Sequence, residues 1–124
     1  MSDAAQADKV YIRVESAYRS YVDQAATFDQ MEAAHGSAYA LQAAARPGHS
    51  EHQLGTTIDF AGGGPWLADN AWLYGFVLSY PALSSPSLTC YQAEPWHYRY
   101  FGRDTAAAIH DSALSPREWL WIHA

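Results

Sequence analysis

The sequence predicts an α+β domain, a central antiparallel sheet with helices packed on one side. Three observations carry that prediction. Strand-like and helix-like segments are mixed along the chain, without the regular β-α-β alternation that a parallel sheet requires. Apolar residues make up 49% of the 124 and charged residues only 16%, a balance that excludes disorder. That length supports one modest core and not two. Residues 1–9 read as a flexible polar tail, and residues 10–124 as a single domain.

Each element has a local reason. In "VYIRVES" (10–16), Val10, Ile12 and Val14 alternate with larger or charged residues, the period of a strand. In "SYVDQAATFDQMEAAH" (20–35), Ser20 is placed to cap a helix with Asp23 three positions on. Tyr21, Ala25 and Phe28 form its apolar stripe, and Gly36 lies just past its end. "SAYALQAAA" fits a helix or a loop. "RPGHS" is a loop, punctuated by Pro47-Gly48. A turn at Gln53 to Gly55 leads into the β-branched run Thr56, Thr57, Ile58, hence a strand through Phe60. "AGGG" ends it. Pro65 fits the first position of a helix through "WLADNAWLY", with Gly75 at its end. "FVLSYP" is a strand, "ALSSPSLT" a loop, and "WHYRYF" a further strand that would turn Trp96 towards the core. Asp104 is positioned to cap "TAAAIH". Ser115, Pro116 and Glu118 stand in capping-box order before a last helix.

Composition excludes several classes of function. The formal charge is -6 and no basic patch is visible, so nucleic-acid binding is not expected. No run is apolar enough or long enough to span a membrane, and no membrane insertion is expected. The start, "MSDAAQADK", lacks the basic-then-apolar order of a secretory signal. Either the protein stays inside, or a leader is removed or lies beyond this sequence. The single cysteine, Cys90, forms no internal disulfide and reads as a buried, inert thiol. The Trp residues at 66, 72, 119 and 121 read as core or helix-packing residues.

Two short segments concentrate the reactive groups. "RPGHSEHQLGTTIDF" (46–60) holds His49, His52 and Asp59, and "EPWHYRY" (94–100) holds Glu94 and His97. A catalytic zinc takes three ligands from His, Asp or Glu and leaves one position open. His52, Asp59 and His97 supply such a set if the strand after Gly55 returns Asp59 beside His52 and a neighbouring strand delivers His97. Two neutral imidazoles and one carboxylate leave a net positive centre that polarises a carbonyl and acidifies water. Glu94 is the candidate base, held in an extended turn because Pro95 disfavours a helical conformation before it. The oxyanion needs a cation. Arg19, in "SAYRSY", is the first candidate and Arg46 the second, on the substrate side. Spacing alone leaves a plainer reading open: hydrogen-bonded histidines, a turn aspartate, a solvated glutamate and a surface arginine. For His35, His49, His110 and His123 that plainer reading is adopted.

The same residues resemble a known family. "SEHQLGTTID" is similar to the S-x-H-x-x-G-x-A-x-D signature of zinc D-alanyl-D-alanine carboxypeptidases of the VanY type, and "EPWHYRYFG" to their E-x-W-H motif. "SAYRSYVDQ", "ARPGHSEHQLG" and "WLADNAWLYGFVLSYP" resemble further segments, from about Val10 to near the C-terminus. The resemblance implies the hedgehog/DD-peptidase fold, one zinc ion on His52, Asp59 and His97, Glu94 as base and Arg19 at the polarised carbonyl. Ser50 becomes a substrate-side or loop-ordering residue. Thr57 departs from the signature's Ala, and the chain begins close to its first strand, where family members carry more sequence.

The implied function is zinc-dependent hydrolysis of peptidoglycan stem peptides, with release of a terminal D-alanine. A monomer acting outside the cytoplasmic membrane is expected. Two alternatives stay open: an endopeptidase of L-alanyl-D-glutamate type with the same chemistry, and a non-catalytic wall-binding domain that keeps the zinc.

Overall fold

A computed structural model of the chain describes residues 1–82 and 89–123. Most of the expected loop "ALSSPSLT" lies outside the described residues. Six helices and four strands are seen among the described residues: α1 Ser2–Ala7, β1 Arg13–Ser16, α2 Tyr21–His35, α3 Ser37–Ala43, β2 Thr57–Ala61, α4 Gly64–Asn70, β3 Phe76–Leu78, β4 His97–Tyr100, α5 Arg103–Ser112 and α6 Pro116–His123. The strands form one antiparallel sheet in the order β1-β2-β4-β3. The α+β prediction with an antiparallel sheet holds.

Register decides what each face of the sheet carries. β2 and β4 pair Thr57 with Arg99, Ile58 with Tyr98, and Asp59 with His97. Side chains alternate across a strand. Ile58, Phe60 and Tyr98 therefore share the core face, against Ala5, Ile12, Leu67 and Ala71. Phe60 meets Phe76 and Tyr98 edge-on at 6.0 and 5.9 Å. Burying each such side chain contributes about 1.5–3 kcal/mol. A one-residue slip of β2 would move Ile58 and Phe60 to the other face and forfeit that burial, so the register is strongly specified. Thr57, Asp59, His97 and Arg99 are left on the opposite face.

Several elements differ from expectation for identifiable reasons. The first nine residues are not a loose tail. Small alanines let α1 lie on the core, with Ala5 fully buried, and Trp66 Nε1 donates to Asp8 Oδ2 at 2.7 Å. β1 starts only at Arg13, because Val10 and Ile12 pack into the core before the strand begins. Ser20 does cap α2, its Oγ accepting from Asp23 N at 3.1 Å. The buried residue of α2 is the polar Gln24, while Tyr21 of the expected apolar stripe is exposed. "SAYALQA" resolves as helix α3.

The helix expected from Pro65 to Gly75 is two pieces, α4 and a 3-10 turn over Ala71–Tyr74. Asn70 Nδ2 donates to Trp66 O at 2.9 Å, at the join. Gly75 closes the turn at φ +90°, where an added Cβ would fall 2.6 Å from Tyr100 Cε2. Gly102, not Asp104, precedes α5, and Asp104 sits in its first turn. Ser115 and Glu118 do exchange bonds at the start of α6. Trp121 on that helix is 87% exposed, so it is not a core residue. Cys90 is exposed at φ +65°, not buried, because it sits in a turn rather than in a packed element.

Candidate active site

The "SEHQ" segment folds as a 3-10 turn over Glu51–Leu54. Ser50 caps it: its Oγ accepts from His52 N at 3.3 Å, while Gln53 Oε1 accepts from Gly48 N at 2.8 Å. Gly55, left-handed at φ +73°, ends the turn and releases the chain into β2. The turn is also tied to the segment after β1. Arg19 N donates to His52 O at 3.2 Å, and His52 Nδ1 lies 2.6 Å from Ala17 O. A carbonyl only accepts, so Nδ1 of His52 carries a proton and Nε2 is the nitrogen turned to Asp59.

Asp59 and His97 are cross-strand partners on the face opposite the core. His52 Nε2 lies 3.1 Å from Asp59 Oδ2, and His97 Nδ1 lies 3.1 Å from Asp59 Oδ1. One donor atom from each residue falls within 4.8 Å of the others. Both histidines are buried. Asp59 Oδ1 is buried and accepts no hydrogen bond, despite its short approach to the His97 ring. A buried carboxylate oxygen left without a donor is costly unless a cation meets it. Two imidazoles, one carboxylate and that orphaned oxygen fit a divalent metal of the zinc kind.

Glu94 enters from the loop before β4. Its backbone is held on both sides: Glu94 N donates to Tyr80 O, and Glu94 O accepts from His97 N, each at 3.0 Å. Its Oε2 stands 3.3 Å from His97 Nδ1, the same nitrogen that faces Asp59. Arg19 lies across the cleft, donating to Gln24 Oε1 at 2.9 Å and Ser16 Oγ at 3.3 Å. Gln24 Nε2 in turn donates to Ala45 O at 2.6 Å, which explains the buried glutamine on α2. The guanidinium is thus fixed by neutral acceptors, and its charge stays available to an anion.

These groups line one cleft of about 220 Å³, which also includes Ser50, Tyr80, Tyr91 and Trp96. Arg46 is not among its lining residues; its carbonyl accepts from His49 N in the loop turn. Trp96 is 47% exposed and belongs to the cleft rather than the core. The reason is that β4 begins only at His97, so strand alternation does not extend back to Trp96.

Carboxylates dominate the electrostatics. Burial disfavours charge on His97, but the close carboxylates of Asp59, Glu51 and Glu94 outweigh it and raise its pKa from 6.5 to about 10. Burial also opposes ionisation of Asp59, yet both histidines hold its pKa well below the usual carboxylate range. Glu51 is lowered too, against its burial, by His97, Ser79 and Arg99. Burial, then the charges of Glu51 and Glu94, push the Tyr80 hydroxyl far up, so it remains a donor. A proton on His97 holds this acidic group together when no metal does.

Sequence reading brought out His52, Asp59, His97, Glu94, Arg19 and Ser50, which the fold brings together. It passed over Glu51, Ser79, Tyr80, Tyr91 and Gln24. Glu51 had one usable signal, its place beside His52. Arg99 had another: two residues past His97 on a strand puts a cation on the same face.

Fold and donor set together fit a mononuclear metallopeptidase class, with three candidate ligands, an open side and a free carboxylate at that side. Comparison with known proteins makes the class specific. Residues 1–103 match the family model described as "VanY: D-alanyl-D-alanine carboxypeptidase", and the chain belongs to that family. A D-alanyl-D-alanine carboxypeptidase of Enterococcus faecalis is 36% identical over 95% of this chain and 50% of its own length. The chain spans about half the length of the curated relatives it matches. VanYB in complex with D-alanine-D-alanine has a TM-score of 0.88 at 35% identity, covering 96% of this chain and 75% of that one. A VanY variant of the VanB-type cassette in complex with Zn(II) matches at the same TM-score and identity, covering 96% and 76%. The LD-carboxypeptidase LdcB has a TM-score of 0.86 at 35% identity, covering 95% and 62%. Among the described residues, no helix is long and apolar enough to cross a membrane.

Proposed function

We propose that the protein is a zinc carboxypeptidase that releases a terminal D-alanine from peptidoglycan stem peptides. One observation carries the reading: His52, Asp59 and His97 converge at an open cleft where Glu94 and Arg19 face the same space. Membership of the VanY family and the neighbours that hold Zn(II) and D-alanine-D-alanine support the metal and the substrate class.

Zinc, when bound, supplies a Lewis acid for the amide carbonyl and for water. His52 and His97 offer Nε2 and Nδ1 to it, and Asp59 a carboxylate oxygen. Glu94, which is not one of the three ligands, accepts the proton of the attacking water and returns it to the departing amine. The amide C–N bond breaks, and one water is consumed to give a carboxylate and a free amino acid. Arg19, held by Gln24 and Ser16, meets the negative charge that develops on the carbonyl oxygen. Tyr80, kept protonated, adds a donor at the same wall. Ser50 orders the 3-10 turn and reaches the cleft, where it contacts substrate. Arg46 lies outside the lining of this cleft and is assigned no role here. All of these residues come from one chain, so a monomer suffices. Stem peptides lie outside the cytoplasmic membrane, and the activity belongs there.

Structural likeness to an LD-carboxypeptidase favours a second reading, cleavage after an L-centre rather than a D-centre. Incubating zinc-loaded protein with purified stem pentapeptide and tetrapeptide separates the readings. D-alanine from the pentapeptide alone supports the first, and D-alanine from the tetrapeptide the second. Free L-alanine, with a remainder that begins at D-glutamate, would establish the L-alanyl-D-glutamate endopeptidase instead. No product from either, with zinc bound, would establish the non-catalytic alternative.

A further inference from the structure

The two histidines of the candidate metal site use opposite ring nitrogens. His52 turns Nε2 towards Asp59 and ties Nδ1 to Ala17 O. His97 turns Nδ1 towards Asp59 and Glu94, which leaves Nε2 pointing back into the protein. There it meets Glu51, with Nε2 3.1 Å from Glu51 Oε2. Nothing in the mechanism above uses Glu51.

Glu51 is itself held by two donors besides His97. Ser79 Oγ donates to Oε2 at 2.6 Å, Arg99 Nη1 donates to Oε1 at 3.1 Å, and the side chain is only 19% exposed. Arg99 is steadied in turn over the Phe101 ring, 4.8 Å from its centroid. The Arg99 charge also offsets the cost of burying the carboxylate. The carboxylate therefore arrives at His97 as an acceptor of fixed position. An acceptor at Nε2 keeps the imidazole proton there, so the lone pair stays on Nδ1, the atom aimed into the cleft. It also helps to fix the rotation of the ring about χ2, together with the Tyr80 ring packed 4.8 Å away.

We propose that Glu51 is the positioning residue of the metal centre: it selects the Nδ1-presenting tautomer of His97 and locks that ring towards the ion. The inference rests on the reading of His52, Asp59 and His97 as a metal site. Glu51 touches neither the ion nor the substrate. A partner of this kind typically sets metal affinity by about 10–100-fold.

The test uses the full chain, stripped with chelator and titrated with zinc against a competing chelator dye. Glu51→Ala should weaken zinc binding by about 10–100-fold relative to wild type. Glu51→Gln, which still accepts from Nε2–H but without charge, should lose less. Ser79→Ala, a gentler change that frees one side of the carboxylate, should shift affinity the same way by a smaller factor, and it serves if Glu51→Ala does not fold. The second readout is the ¹⁵N–¹H spectrum of the zinc-loaded protein. A slowly exchanging His97 Nε2–H is expected in wild type and Glu51→Gln, and lost in Glu51→Ala.

If Glu51 were only a structural ion pair with Arg99, Glu51→Ala and Arg99→Met would lower the melting temperature alike, while zinc affinity and the Nε2–H signal stayed at wild-type values. That result overturns the proposal and leaves the metal site standing. Failure of wild-type protein itself to bind zinc overturns both.

Discussion

Replacing Glu94 by glutamine separates metal binding from chemistry. The substitution keeps the volume and shape of the side chain but removes its capacity to take a proton. The loop that carries it is fixed by backbone bonds, Glu94 N to Tyr80 O and His97 N to Glu94 O, each 3.0 Å long and independent of the side chain. The ligand atoms of His52, Asp59 and His97 should therefore stay in place, and zinc stoichiometry should remain one per chain. A positioned general base typically contributes about 10²–10⁴ in rate, or about 2.7–5.4 kcal/mol of activation free energy. Since Glu94 Oε2 stands 3.3 Å from the nitrogen offered to the ion, it is close enough to reach water there, and the upper half of that range is expected. The assay is single-time-point and initial-rate release of D-alanine from stem peptide, with zinc quantified on the same samples. Turnover within about tenfold of wild type at full zinc occupancy would refute the assignment of Glu94 as base.

Three further outcomes are expected. In chelator-treated protein, His97 has its pKa raised from 6.5 to about 10, so its proton stabilises the fold fully below 6.5 and is lost as pH rises through 10. The melting temperature of metal-free protein should fall between those pH values, and zinc added at pH 8 should displace about one proton per ion, read by calorimetry in buffers of different ionisation enthalpy. A heat of binding independent of buffer would contradict this. Gln24→Ala removes the acceptor at 2.9 Å from Arg19, and should lower kcat/KM by at least about tenfold while zinc affinity holds, by competition titration. Gly75→Ala forces a Cβ to within 2.6 Å of Tyr100 Cε2 at φ +90°, and should cost about 1–3 kcal/mol in urea unfolding.

The candidate metal ligands and their neighbours were legible in the sequence because they sit in two compact segments whose glycine, proline and β-branched residues dictate local shape. Gly55 and Thr57 suffice to send the chain from a turn into a strand, and Pro95 to hold an extended approach to His97. What was not legible depends on contacts between elements. Tyr80 and Ser79 reach the site only because β3 pairs with β4, a partnership that no local pattern states. Gln24 looks like a solvent-facing helix residue until Ala45 and Arg19 are brought to it. Strand alternation extended one residue before His97 turns Trp96 to the core, and no local pattern marks where β4 begins. The first helix was missed because "SDAAQA" has no large apolar residue, and Ala5 is buried by the smallness that makes it inconspicuous.

The pairing of β2 with β4 has a practical consequence for engineering. Asp59 and His97 are flanked by Ile58, Phe60 and Tyr98, which belong to the apolar interior. Directed evolution for heat resistance would naturally target those three positions. Each replacement there tugs on the same two ribbons that carry the reacting groups, so libraries screened for survival on heating should also be screened for turnover. Gains in robustness are safer to seek at exposed positions of α6 such as Trp121 and Ile122, which belong to neither ribbon.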